Sequence, residues 1–386
     1  MEKSNMTSVP FRELRHAYGF DDVAIVPGSI TVNPDQTDIQ FKIRDVEFQI
    51  PVLAAAMDGV VDPAFAILMH KMGGLGVLNL DGVWARYKNA AEMLDQIVSA
   101  PVTQVTPLMQ KIYAEPMKEE LISERVKTIK ANGARCTVTL TPQNAKRLSP
   151  IAVEAGADII VIQSTVTTAR HTSKSYKGLD FAELQQAIRV PIIVGNCVSY
   201  DAALDIMRTG VHGILVGVGP GAACTSREVL GIGVPQITAT MDCSAARDTY
   251  FRETGRYVSV ITDGGFKTSG DICKAIAAGA DAVMLGSIMA QAIESPGKGF
   301  HWGMANPHAA LPRGTRVKVG TRAPLERILF GPSSITSGTE NLIGALRTCM
   351  GVCGAFSIRD MHKAQIVIAP AIKTEGKHFQ ATQQCG

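Results

Sequence analysis

No run among the 386 residues approaches the roughly eighteen consecutive apolar residues of a membrane span, and the opening MEKSNMTSVPFREL lacks the apolar core of a secretory leader. No membrane partner is expected, and the expected compartment is the cytoplasm. An excess of charge of one sign is missing too: 38 basic against 35 acidic side chains leave a formal +3. Binding a phosphate polymer by neutralising many of its charges needs a far more basic balance, so nucleic acid is not an expected partner. Paired cysteines are also absent. The eight thiols, at 136, 197, 224, 243, 273, 349, 353 and 385, show neither the density of a disulfide scaffold nor a C-x-x-C spacing for zinc, and read as reduced. Cys349 and Cys353, four apart in an apolar segment with no His at ligand spacing, read as neighbours on one helix face. With 46% hydrophobic and only 19% charged residues the chain is expected to fold around a sizeable core.

What is present is a repeat of polar helical segments, closed by glycine, each followed by an apolar β-branched run. Its clearest forms are GADIIVI from Gly156, GVHGILVG from Gly210 and GADAVMLG from Gly279, where a helix C-terminal glycine turns the chain into a buried strand. Adding IPVLAAA at 50–56, GVLNL at 76–80, RCTVTL at 135–140, VPIIVGN at 190–196 and YVSVITDGG at 257–265 gives eight strand candidates. Strands apolar on both faces and separated by helices favour a closed (β/α)8 TIM barrel over an open doubly wound sheet. Residues 1–386 are expected to form one barrel catalytic domain, with an N-terminal extension at about 1–49, a turn-rich lid at about 297–320 and a tail at about 370–386.

In such a barrel the chemistry sits at the C-terminal ends of the strands. After the sixth strand, GVGPGAACTSR carries Gly217, Gly219 and Gly221 at alternate positions ahead of Cys224. That spacing lets backbone groups converge on an ion or phosphate and holds a thiol on a tight loop; a glycine-rich turn with a buried Cys is the competing reading. Thr262-Asp-Gly-Gly265 and Leu285-Gly-Ser287 close the seventh and eighth strands, where many such barrels bind phosphate through glycine amides, a hydroxyl and a helix N-terminus. Asp263, with no partner visible in sequence, suits ribose hydroxyls or a helix cap. Met57 reads as core or as a ligand contact, Asp58 as a cap of the helix that follows, and Asn196 as a cofactor amide contact or a turn residue.

Taken together, GVGPGAACTSR, GVPQITA at 233–239, TDGGFKTSGDICKAIAAGADAVMLGS, FHWGM at 300–304, AAAMDGV and GGLGVLNL resemble the IMP dehydrogenase and GMP reductase family. The resemblance runs from about residue 17 to 375 and is nearest the dehydrogenase-related branch without CBS modules, because residues 81–134 hold only helical linker where those modules are inserted. It implies a covalent reaction in which Cys224 attacks C2 of IMP, hydride passes to NAD, and water hydrolyses the thioimidate to XMP for guanine nucleotide synthesis. A thiolate suits this because it adds to a polarised C=N carbon and leaves again on hydrolysis. The resemblance also implies potassium on the carbonyls of Gly219, Gly221 and Cys224. Asp263 then holds the ribose, Gly265, Gly286 and Ser287 hold the phosphate, Met57, Gly303 and Met304 lie near the base, and Gln163, Ser164, Asn196 and Gly217 face the cofactor. A square homotetramer is implied as well, with the tail around Thr374-Glu-Gly376 reaching a neighbour's potassium loop.

Several positions depart from the family pattern. Ala222 and Ala55 stand where phosphate-side serines are usual, and His301, in place of a tyrosine, is expected to supply compensating charge. Ser226 keeps the hydroxyl of the usual threonine, while Gln163 replaces an aspartate. The Arg-Tyr pair of the mobile flap is absent, leaving Arg313 and His308 as candidates for activating water. Arg313 falls where a Gln or Glu reads the purine N1 edge. A guanidinium only donates and meets the N1–H and 2-amino donors of GMP badly, which favours IMP or XMP over GMP. NADPH-dependent GMP reduction and a nucleotide-binding regulator without turnover are the alternatives.

Overall fold

All eight apolar runs form strands, and their hydrogen-bonded order is that of the sequence. In the computed structural model, which describes residues 14–172, 178–303 and 315–370, they are β1 (Val52–Ala54), β2 (Leu75–Asn79), β3 (Thr137–Leu140), β4 (Ile159–Gln163), β5 (Ile192–Cys197), β6 (Gly213–Val216), β7 (Ser259–Asp263) and β8 (Ala282–Leu285). Every neighbouring pair is parallel, and β8 pairs with β1, so the sheet is a closed barrel. The strands are shorter than the apolar runs because the chain leaves the ladder at their ends; Met57 N, for example, turns back to Ala55 O at 2.8 Å.

Two cores account for the apolar strands. Leu53, Leu75, Val77, Ile159, Val161, Ile193, Leu215, Ile261 and Met284 point inward and fill the barrel. Their neighbours Val52, Leu78, Ile160, Ile162, Val194, Ile214 and Val260 point outward onto the helices. The inner core is completed from below by the N-terminal extension. An antiparallel hairpin, Phe41–Ile43 with Val46–Phe48, inserts Phe41, Ile43, Val46 and Phe48 into it, with Phe41 and Phe48 stacked at 4.9 Å. Further along, Val23–Ile25 pairs antiparallel with Ile366–Ile368 and ties the extension to the C-terminal region.

The first helix, α1 (Pro63–Lys71), starts at Asp62, whose carboxylate accepts from Phe65 N at 2.6 Å. Asp62, not Asp58, is therefore the cap. Asp58 is 1% exposed and accepts instead from Val83 N and the Tyr113 hydroxyl. The connection from β2 to β3 holds α2 (Ala90–Ser99), α3 (Val102–Tyr113) and α4 (Glu119–Ala131), with no further module between them. The 297–320 segment is more ordered at its base than its turn signals imply. Phe300–His301 pairs antiparallel with Val317–Lys318, because Phe300 and Trp302 pack into the apolar cluster of α2 and α3. Cys349 lies in the helix Leu342–Val352 and Cys353 caps its end, one turn away, both as free thiols. No helix among the described residues is long and apolar enough to cross a membrane.

The hairpin plug gives a direct test of the barrel core. Ile43 is fully buried, so Ile43→Ala is expected to cost about 3 kcal/mol of folding stability through lost burial and a cavity. Urea unfolding should show the loss while ligand affinity at the opposite end of the barrel stays unchanged; an unaltered midpoint would contradict the plug.

Candidate active site at the C-terminal mouth of the barrel

The strand ends and their loops enclose a cavity of about 330 Å³ lined by Met57, Gln163, Ser164, Asn196, Gly217, Gly219, Gly221, Ala222, Cys224, Ser226, Asp263, Gly265, Gly286, Ser287, His301 and Gly303. Every described residue singled out from the sequence as a site residue thus falls on one wall or another of this space. Met304, His308, Arg313 and the 374–376 segment lie outside the described residues.

The Cys224 loop owes its shape to its glycines. Gly217 has φ +148°, and a Cβ there would stand 2.4 Å from Asp263 O. Gly219 has φ +81°, with the Arg227 side chain closing on the space a Cβ would fill. Cys224 N donates to Gly221 O at 3.0 Å, and the half-buried thiol donates to Ser226 Oγ at 3.3 Å. Beside it the Thr225 hydroxyl is buried with no partner, a free hydrogen-bonding group next to the thiol. On the opposite wall the Met57 methyl packs over Gly286, where a Cβ would come within 2.9 Å of it.

Asp263 proves to have partners from two other strands. Its Oδ2 accepts from Gln163 Nε2 at 3.0 Å and from Asn196 Nδ2 at 2.8 Å, and Asn196 also donates to Gly217 O at 2.8 Å. The register break between β5 and β6 occurs at Gly195/Cys197, on either side of Asn196. Burial raises the Asp263 pKa to about 6, against the lowering effect of the Asn196 and Gln163 donations. The Gln163 Oε1 atom is buried and unpaired, an acceptor left for a ligand donor.

The loops expected to bind phosphate differ from that expectation in two ways. Ser287–Ala290 is a single helical turn, and the longer helix Ser269–Ala277 has its start occupied by Asp271, which accepts from Lys267 N and Thr268 N. Local glycine amides and the Ser287 hydroxyl remain as donors, with little contribution from a helix dipole. His301 is 1% exposed, and burial lowers its pKa to about 4, which works against the positive charge expected of it. It meets Ser287 Oγ through Nε2 at 2.9 Å, leaving Nδ1 unpaired. Ala55 and Ala222 line the cavity without hydroxyls.

Gln236 escaped the sequence reading. Its Nε2 donates to Val216 O, Asp263 O and Gly264 O at 2.8–3.2 Å, holding the ends of β6 and β7 together behind the cavity. Its place in GVPQITA, directly after the cysteine loop, was the available signal.

A closed barrel with a thiol loop after β6, a ribose-competent carboxylate after β7 and glycine amides after β8 has the layout of a nucleotide-transforming barrel enzyme. The chain belongs to the IMP dehydrogenase / GMP reductase family, whose domain model matches residues 17–308, and it is an oxidoreductase of the IMP dehydrogenase type. An uncharacterized oxidoreductase of Mycolicibacterium smegmatis is 38% identical over 366 residues, covering 92% of this chain and 98% of that protein. The inosine-5'-monophosphate dehydrogenase of Cryptosporidium parvum is 28% identical over 89% of this chain and 90% of its own length. Among solved structures, an IMP dehydrogenase/GMP reductase-like protein from Corynebacterium glutamicum superposes with a TM-score of 0.88 at 36% identity, covering 94% of this chain and 97% of that one.

The ionisation of Asp263 has a measurable consequence. A carboxylate accepts from both hydroxyls of a ribose diol, and a protonated carboxyl does so less well. With its pKa raised to about 6, the group is charged above that pH and neutral below it, so kcat/KM should fall as pH drops through about 6. Gln163→Asp, which sets a second carboxylate beside it, should move that limb upward by about one unit. A limb that stays put would place the titration elsewhere.

Proposed function

We propose that the protein oxidises IMP to XMP with NAD through a covalent bond to Cys224. The observation that carries this reading is the convergence of Cys224, Asp263 and the Gly286–Ser287 loop on one cavity. In this reading Asp263 orients the ribose, Gly265, Gly286 and Ser287 hold the phosphate, and Met57 packs against the base. The Cys224 thiolate adds to C2, and the thioimidate left after oxidation is hydrolysed to XMP and free thiol. The balance is IMP + NAD⁺ + H₂O giving XMP + NADH + H⁺. His308 and Arg313 are the proposed groups for activating the water.

NAD, when bound, supplies the two-electron acceptor for the hydride leaving C2. Gln163, Ser164, Asn196 and Gly217 are the residues proposed to face it, and the buried, unpaired Gln163 Oε1 fits a hydroxyl or carboxamide donor. For a cation the donor set is three backbone carbonyls, of Gly219, Gly221 and Cys224. Among the described residues no cluster of three His, Cys, Asp or Glu accompanies them. Neutral carbonyl donors suit a monovalent ion such as potassium better than a divalent or transition metal, and such an ion would brace the cysteine loop. Assembly as a homotetramer and a cytoplasmic location belong to the same proposal.

The deciding assay is absorbance at 340 nm with IMP and NAD in one cuvette and GMP and NADPH in another. A rise in the first, abolished by Cys224→Ala, is expected. A fall in the second alone would establish GMP reduction, and IMP binding without turnover under either cofactor would establish a regulator.

A further inference from the structure

Behind the cavity wall runs a hydrogen-bonded chain that the proposed chemistry does not use. Trp302 Nε1 donates to the Tyr113 hydroxyl oxygen at 2.7 Å, and that hydroxyl donates to Asp58 Oδ2 at 2.5 Å. Val83 N donates to the same oxygen at 3.1 Å. Trp302 and Asp58 are each 1% exposed. Asp58 directly follows Met57, and Trp302 lies between His301 and Gly303; these three neighbours line the cavity, whereas Tyr113 contributes nothing to its lining. The two ends of the chain therefore belong to two different walls, one built on the β1 loop and the other on the segment after β8.

The surroundings fix the bridge in place. Tyr113 is the last residue of α3, and Trp302 is buried with Val83, Leu94, Ile97, Val105, Met109 and Ile112 of the α2–α3 region. Arg316, on the returning arm of the same ribbon, donates to Val98 O at 2.9 Å and stacks over Phe300 at 4.7 Å. Gly303 in turn reaches the cysteine loop, since a Cβ on it would stand 3.6 Å from Ala223 O.

We infer that Tyr113 is a positioning residue for nucleotide binding: its hydroxyl, acting at once as acceptor and donor, sets the spacing between the Met57 wall and the His301–Gly303 wall. An indole N–H and a carboxylate oxygen are joined through one atom only by a group that both accepts and donates, which a phenol does and a phenyl ring does not. Removing the hydroxyl leaves a buried indole N–H unpaired and takes one donor from a buried carboxylate whose Oδ1 already has no partner. The inference rests on the nucleotide reading of the cavity.

The test is Tyr113→Phe, which keeps the ring in its apolar cluster. The KM for IMP should rise about tenfold as the two walls lose their common tether and the site is displaced, while kcat and the KM for NAD stay within about twofold. Asp58→Asn, which retains an acceptor for the phenol, should lie near the wild type, and Asp58→Ala near Tyr113→Phe. An unchanged KM for IMP, or a uniform loss of kcat that follows Tm, would overturn the inference. Tryptophan emission separates this from failure of the nucleotide reading. Trp84 and Trp302 are the only two tryptophans, so in a Trp84→Phe background the unliganded protein reports Trp302 alone. Tyr113→Phe should shift that emission to shorter wavelength by freeing the indole N–H. An unchanged spectrum would overturn the bridge itself, whereas a shifted spectrum in a protein that binds neither IMP nor GMP would overturn the nucleotide reading instead.

Discussion

The parallel pairing of β8 with β1 is the constraint on which the rest depends. Val283, Met284 and Leu285 align with Val52, Leu53 and Ala54, and Ala55 N extends the ladder to Leu285 O at 3.0 Å. That closure brings the first loop of the barrel onto the last, so that Met57 rests on Gly286. It also gives every strand two partners and removes the exposed edges that an open sheet would have to protect. A plug of four apolar side chains from the N-terminal hairpin seals the end opposite the cavity. The opposite end is left free for loops whose length and composition vary without cost to the core.

At that end the polar groups are few and shared. One carboxylate oxygen of Asp263 takes donors from β4 and β5, and the backbone beyond it is held by Gln236. Because Gln163 is an amide, the network carries one negative charge, and the second carboxylate that an aspartate would bring is avoided. A buried network of this kind is stable only when its members are satisfied, and three of the unpaired buried atoms, Gln163 Oε1, Thr225 Oγ1 and His301 Nδ1, belong to residues that line the cavity. Those three atoms are open to pairing by a ligand, whereas Asp58 Oδ1, Thr137 Oγ1 and Gln236 Oε1 are unpaired away from the cavity lining.

The barrel was legible in the sequence because burial on both faces writes each strand as an unbroken apolar run, and eight such runs leave few architectures. The site loops were legible because glycine, Cys224 and Asp263 occur at strand ends in the order a barrel requires. What was not legible is long-range pairing of polar side chains. Asp263 and Gln163 are 100 residues apart, and Trp302 and Tyr113 are 189 apart, so no local pattern announces either contact. Asp58 was misread because capping is a local signal and Asp62, four residues on, takes that role. The burial of His301, which works against its carrying a charge, was not legible because it comes from elements packed around it. The ordered base of the 297–320 segment was hidden for the same reason: its turn residues are local, whereas the cluster that holds Phe300 and Trp302 comes from α2 and α3.

The central claim is that Cys224 forms a bond to the nucleotide during turnover. It is tested most directly by mixing the protein with IMP and NAD, quenching in acid within one turnover and locating any added mass by peptide mapping. The account predicts a purine-nucleotide adduct on the peptide that contains Cys224 and on no other cysteine peptide. Rapid NADH production with every cysteine peptide unmodified would contradict it.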